Sequence, residues 1–165
     1  MFSVKRSVFS VQRSVLSVRC RYVVETGADV AKSYRELVVW QKGIQLTVLV
    51  YRLSQGFPRE EIYGLTSQMR RAAVSIPSNI AEGSGRLNTP ELRQFLGVAQ
   101  GSNFELQTQL AIAKELGMGD GAEIASAEHL SVEVGRLIHA MVESLKLTPP
   151  GQPRNTEHLT LNTQH

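Results

Sequence analysis

The sequence predicts an all-α protein: an antiparallel up-down four-helix bundle with a kinked second helix, flanked by disordered N- and C-terminal extensions. Three observations carry this expectation. Four stretches between residues 33 and 147 repeat apolar residues at helical spacing. Glycine or proline closes the first three of them, so the connections are short and neighbouring helices run antiparallel. No stretch alternates apolar and polar residues as a half-buried strand does.

Residues 1–32 repeat with a period of seven: FSVKRSV, FSVQRSV, LSVRCRY. Val4, Val8, Val11, Val15, Val18 and Tyr22 form a short heptad seam. Serine and valine are poor helix formers, which disfavours an isolated helix there. Arginine and serine abound and no acid precedes Glu25, as in a transit peptide. A disordered, repeat-expanded extension is the preferred reading, and a targeting segment is the alternative.

The first helix is expected over Tyr34–Ser54, with Ser33 as its cap and Gly56-Phe57-Pro58 as its stop. One flank carries Leu37, Trp40, Ile44, Val48 and Tyr51, and the opposite flank carries Val39, Leu46, Leu49, Val50 and Leu53. A helix apolar on both sides must be covered on both sides, and a lone bundle covers one. The flank with Val39, Leu46, Val50 and Leu53 is therefore assigned to an oligomer interface.

The second helix is expected from Glu60 or Glu61, with Leu65, Met69, Ala72, Ala73, Ile76 and Ile80 as its core stripe. Pro77 lies within that stripe. It removes the bond to the Ala73 carbonyl and should bend the helix, with Ser75 or Ser78 rebonding a freed carbonyl. Gly83-Ser84-Gly85 is read as the stop. In the third helix Thr89 is the expected cap, followed by Pro90 and Glu91. Leu92, Phe95, Leu96, Ala99, Leu106, Leu110 and Ala113 form its inner side, and Gly117 ends it. Gly97, Gly101 and Phe104 fall on the far side, where close approach of another backbone would explain two glycines that each cost about 1 kcal/mol against alanine. They join the interface assignment. The fourth helix begins after Asp120. Residues 148–165, rich in Pro, Thr, Asn and Gln, cannot bury enough apolar surface to fold.

The net charge of +3 is unevenly spread. Residues 1–32 carry six bases and two acids, residues 33–93 eight and five, and residues 94–147 three and seven. A basic first half suggests a polyanionic partner. The single cysteine, Cys20, permits no intrachain disulfide and fits a reducing, cytoplasmic setting. No apolar run is long enough to cross a bilayer. There is no metal-ligand spacing, no phosphate loop after a strand and no nucleophile motif, so neither cofactor, metal nor catalysis is expected. On the second helix Arg71 points away from the core stripe and Arg70 lies on its flank, among small polar residues. An interface or intrabundle ion pair ranks first for them, then nucleic-acid contact, then solvation.

The segments YRELVVWQKGIQL, VYRLSQGFPREEIYGLTSQMRRAAVSIPSNIAEGSGR and ELRQFLGVAQGSNFELQTQLAIAKELG resemble the four helix bundle protein family, encoded by intervening sequences in bacterial 23S ribosomal RNA genes. The retroelement accessory variability proteins are more distantly similar. The resemblance covers residues 33–147, and SIPSNIAEG is its most specific part. This chain has Gly43 where Ala is commoner in the family, and Asn103-Phe104 where Leu is commoner. The resemblance implies a bundle that assembles into a ring-shaped homopentamer with a basic surface, binds nucleic acid and, in the retroelement relatives, binds a reverse transcriptase. It implies no catalytic residues. The combined expectation is a non-enzymatic homopentamer contacting RNA or DNA phosphates through Arg70, Arg71, Lys42, Arg86 and Arg93, without a membrane. The alternative is a structural adaptor for a protein partner such as a polymerase or reverse transcriptase.

Overall fold

Four α-helices carry the fold: α1 (Val38–Leu53), α2 (Leu65–Ser84), α3 (Thr89–Glu115) and α4 (Gly121–Lys146). The computed structural model describes residues 33–146 and has no strand among them; the expectations for residues 1–32 and 148–165 lie outside the described residues. Each helix packs on its neighbour in the chain, and α4 closes back on α1. Contacts between neighbours run in opposite directions along the numbering. Thr47 meets Ala73 while Ser54 meets Arg70. Asn103 meets Ser131 while Lys114 meets Glu128. The bundle is therefore antiparallel and up-down.

Helix boundaries follow their caps. Ser33 Oγ accepts from Arg35 N, but this starts only a 3-10 turn, Tyr34–Glu36; Leu37 is extended, and α1 begins one residue later. The start expected near Glu60 is also a 3-10 turn, Arg59–Ile62. Glu61 then turns its carboxylate onto Leu65 N at 2.8 Å, at the head of α2. Asn88, not Thr89, caps α3. Its side chain accepts from Glu91 N at 2.9 Å and donates to the Glu91 carboxylate, so Thr89 becomes the first helical residue. A Schellman pair, Met118 N to Ala113 O and Gly117 N to Lys114 O, ends α3, with Gly117 left-handed at φ 65°. Asp120 Oδ1 caps α4 through Ala122 N and Glu123 N.

Gly83 is not a stop. It is buried inside α2, where a Cβ would lie 2.8 Å from Phe95 Cβ, so its bare backbone lets α3 come close; Gly85 caps the helix instead.

The core lies where the inner stripes converge: Val39, Leu46, Val50 and Leu53 from α1, Met69, Ala73, Ile76 and Ile80 from α2, Leu96, Leu106 and Leu110 from α3, and Ile124, Val134 and Ile138 from α4. This corrects the interface assignment on α1. Val39, Leu46, Val50 and Leu53 are buried within the subunit; of the opposite flank Ile44 and Val48 are left outside, 38% and 45% exposed, while Leu37 and Trp40 pack partly buried against the core. The reason is the α1–α2 contact. Gly43 and Thr47 lie on the same side of α1 as Leu46 and Val50, and α2 needs both of them. Gly43 faces the Pro77 ring.

α2 runs unbroken through Pro77. Pro77 has no N–H, so the Ala73 carbonyl loses its helical donor. Neither Ser75 nor Ser78 supplies a replacement: Ser78 Oγ donates to Val74 O, and Ser75 Oγ pairs with Ser102 Oγ. The donor comes from α1, where Thr47 Oγ1 lies 2.8 Å from Ala73 O and 2.9 Å from its own Gly43 O.

Between α3 and α4 the core includes polar side chains. Asn103 is buried and donates to Ser131 O at 3.0 Å, beside Gly135, where a Cβ would lie 2.9 Å from its amide nitrogen.

Two substitutions test the α1–α2 seam. Thr47→Val removes the hydroxyl at constant shape and leaves the Ala73 carbonyl without a donor, so denaturant unfolding should show a loss of about 1–3 kcal/mol. Gly43→Ala places its methyl 3.4 Å from Pro77 Cβ, an ordinary contact. It should be neutral or stabilise by up to about 1 kcal/mol.

Candidate functional site

The α1–α2 seam that seats Thr47 also sets the residues one and two turns further on. Tyr51 and Ser54 lie along the same side of α1, and opposite them on α2 lies Arg70. Arg70 Nε donates to Ser54 Oγ at 2.8 Å, and its guanidinium carbon lies 4.9 Å from the centre of the Tyr51 ring. Two contacts on two different atoms hold this arginine in one orientation.

α2 presents small residues outward here, so its outer face is a trough between α1 and α3. An open groove of about 680 Å³ crosses it. Tyr51 forms part of the α1 wall, Ser102 and Glu105 the α3 wall, and Ser67, Arg70, Arg71, Val74 and Ser75 belong to α2. Arg71 is exposed and makes no hydrogen bond or ion pair among the described residues. Thr66 also lines the groove; it is 3% exposed and its hydroxyl has no partner. Glu105 is the one carboxylate on the wall, and it accepts from Gln109 Nε2 at 2.9 Å.

The five basic residues expected to act together are separated. Arg70 and Arg71 share the groove. Lys42 leaves α1 on its other side and pairs with Glu133 of α4 at 3.1 Å. Arg86 pairs with Glu82 and stacks over Phe95 at 4.6 Å, at the α2–α3 turn. Arg93 faces the end of α4, near enough to Glu143 to affect its titration. A hydrogen bond from Lys146 chiefly holds Glu143 below the usual carboxylate range, and the Arg93 charge adds to this. Sequence spacing places Arg70 and Arg71 correctly on α2 but misses Tyr51, which lies on another helix.

The interface residues expected on α3 do face outward. Phe104 is 56% exposed, and a Cβ on Gly97 or Gly101 would meet nothing within 4 Å among the described residues. Among the described residues no cluster could hold a metal ion, and no helix is long and apolar enough to cross a membrane.

Fold and groove together define a class: a small up-down helical bundle that carries an open, arginine-bearing groove and apolar outer faces. Residues 35–140 match the family described as 23S rRNA-intervening sequence protein, and the chain belongs to that family. A crystal structure from Bacteroides thetaiotaomicron, of a protein with unknown function from the S23 ribosomal protein family, is similar in fold. Its TM-score is 0.60 at 20% identity, over 64% of this chain and 96% of that one. Comparison with curated proteins finds no match.

The two neighbouring arginines should separate in a stability measurement. Arg70→Ala loses both the Ser54 bond and the Tyr51 stacking, and should cost about 1–2 kcal/mol. Arg71→Ala removes no hydrogen bond or ion pair among the described residues and should leave stability within about 0.5 kcal/mol. Thermal and urea unfolding of the two variants side by side checks this.

Proposed function

We propose that this protein is a non-enzymatic homo-oligomer that binds RNA or DNA phosphates through the groove across α2. The observation that carries the reading is Arg71: an exposed guanidinium with no protein partner among the described residues, beside a second arginine already fixed in place. Such a group is free to bind a phosphate bidentately at little ordering cost. The family's description ties these proteins to 23S rRNA genes, which makes RNA the first probe. Arg70 and Arg71 form the contact. Lys42 and Arg86 are engaged with Glu133 and Glu82, and with Arg93 they contribute a diffuse field.

Self-association is supported by the outward apolar residues Ile44 and Val48 on α1 and by the Gly97, Gly101 and Phe104 face of α3. Exposed apolar surface of this kind marks contact faces. Five subunits is the number the family resemblance implies. An adaptor role for a protein partner is the second reading, favoured by Ile62 and Val74 on the groove lining beside the arginines. Retention of a protein from a nuclease-treated extract by the groove itself would support it.

Size-exclusion chromatography with light scattering should give a mass several times that of one chain, and Val48→Glu should reduce it. RNA retention should fall steeply as salt rises from 50 to 300 mM, as phosphate contacts require. A monomer at high micromolar concentration would remove the oligomer, and salt-independent or absent retention would remove the phosphate contact.

A further inference from the structure

We propose that the groove across α2 is a single-strand site, taking one unpaired base against the Tyr51–Arg70 pair and the adjoining phosphate on Arg71. This rests on the nucleic-acid reading above and adds to it the strandedness of the ligand and the size of the site.

The first support is the stacked pair. The Tyr51 ring is 42% exposed and lies on the groove wall. The Arg70 guanidinium lies over it at 4.9 Å and is anchored on Ser54 at 2.8 Å. Ring and guanidinium thus form a two-part π surface that is ordered before any ligand arrives. Unpaired bases stack on aromatic rings and arginine planes, whereas the bases of a duplex are already stacked on each other and present only their edges.

The second support is the placement of Arg71. It follows Arg70 in the chain, so it lies about 100° further round α2, away from the Tyr51 wall and towards solvent. A base on the wall and its phosphate over the helix therefore meet different groups, without competition for one guanidinium.

The third support is what the groove lacks. Glu105 stands on the α3 wall opposite, so a second phosphate entering there meets a like charge. Arg70 and Arg71 are the basic side chains on the groove lining, and Lys42 and Arg86 are committed to ion pairs elsewhere. A duplex would need a continuous row of phosphate contacts, and the groove offers one. Its volume of about 680 Å³ falls within the range of about 300–1,000 Å³ typical of small-ligand clefts, which suits a nucleotide unit better than a helix of nucleic acid.

The test uses the full chain and two fluorescent probes at one salt concentration: a ten-nucleotide unstructured RNA and a ten-base-pair RNA duplex, with binding read by anisotropy. The single strand should bind tenfold or more tightly than the duplex. Tyr51→Ala should weaken single-strand binding roughly fivefold or more and leave the duplex within twofold, because base stacking is lost and phosphate contact is not. Tyr51→Phe, which keeps the ring and is the safer variant for folding, should bind as the unaltered protein does. Arg71→Ala should weaken both probes and lower the salt slope by about one. Equal affinity for both probes, or a Tyr51→Ala variant that weakens both equally, overturns the single-strand site and leaves the phosphate contact standing. Failure of the unaltered protein to bind either probe overturns the nucleic-acid reading itself, and this inference with it.

Discussion

The carbonyl of Ala73 is the constraint on which the rest of the structure turns. Pro77 takes away its helical donor, and a carbonyl buried without a partner costs on the order of 1–3 kcal/mol. Thr47 meets that need from the neighbouring helix. The bond works only if α1 is rotated so that Thr47 faces α2, and Gly43, one turn earlier, lies against the Pro77 ring at that rotation. Once it is set, Leu46 and Val50 must point into the core, and Ile44 and Val48 must point out. The same rotation carries Tyr51 and Ser54 to Arg70. A proline in α2 thus decides which side of α1 is surface and where an arginine is held.

This explains what was legible in the sequence. Four helices, their order and most core positions follow from spacing alone, because α2, α3 and α4 each carry one dominant apolar stripe. α1 has two, and periodicity reports that both exist without saying which faces in. That choice depends on a contact between residues 26 apart in sequence, Thr47 and Ala73, which no helical pattern encodes. The same contact supplies the donor at Pro77: spacing within α2 offers Ser75 or Ser78 for the freed carbonyl, and the hydroxyl that reaches it is Thr47 of α1. Asn88 as the cap of α3 was open to detection, because Asn88 and Glu91 form the capping-box spacing; Thr89 competes for the same role on composition.

The candidate site was legible in a different proportion. Arg70 and Arg71 stand out as a pair, and the helical wheel separates them by about 100°. Their difference in role does not follow from the wheel. Arg70 is tied to Ser54 and Tyr51, so it is part of the scaffold as well as of the groove, whereas Arg71 is tied to nothing within the described subunit. Three other bases were grouped with them by charge alone, and the bundle places those three elsewhere, two of them against carboxylates. Charge counting gives the sign of a surface; only the packing divides it into committed and uncommitted groups.

α3 shows an inversion that bears on self-association. Its inner side holds Asn103 and Gln109, both buried, while its outer side holds Val98, Phe104 and Ile112. Gly97 and Gly101 on that outer side have open space where a side chain would go. Each of these choices weakens an isolated subunit: buried amides are costly to desolvate, and exposed mid-helix glycines cost about 1 kcal/mol each against alanine. The amides find a use within the subunit, since Asn103 bridges to the α4 backbone at Ser131 and fixes the register of the two helices. The glycines find none. Gly83 faces α3 at close range, with Leu92 O 3.4 Å from where its Cβ would lie, whereas the nearest atoms to Gly43 and Gly135 belong to side chains. Among the described residues nothing lies within 4 Å of where a Cβ of Gly97 or Gly101 would sit, and Val98, Phe104 and Ile112 stay exposed on the same helix, so α3 keeps its polar residues inside and part of its apolar surface outside.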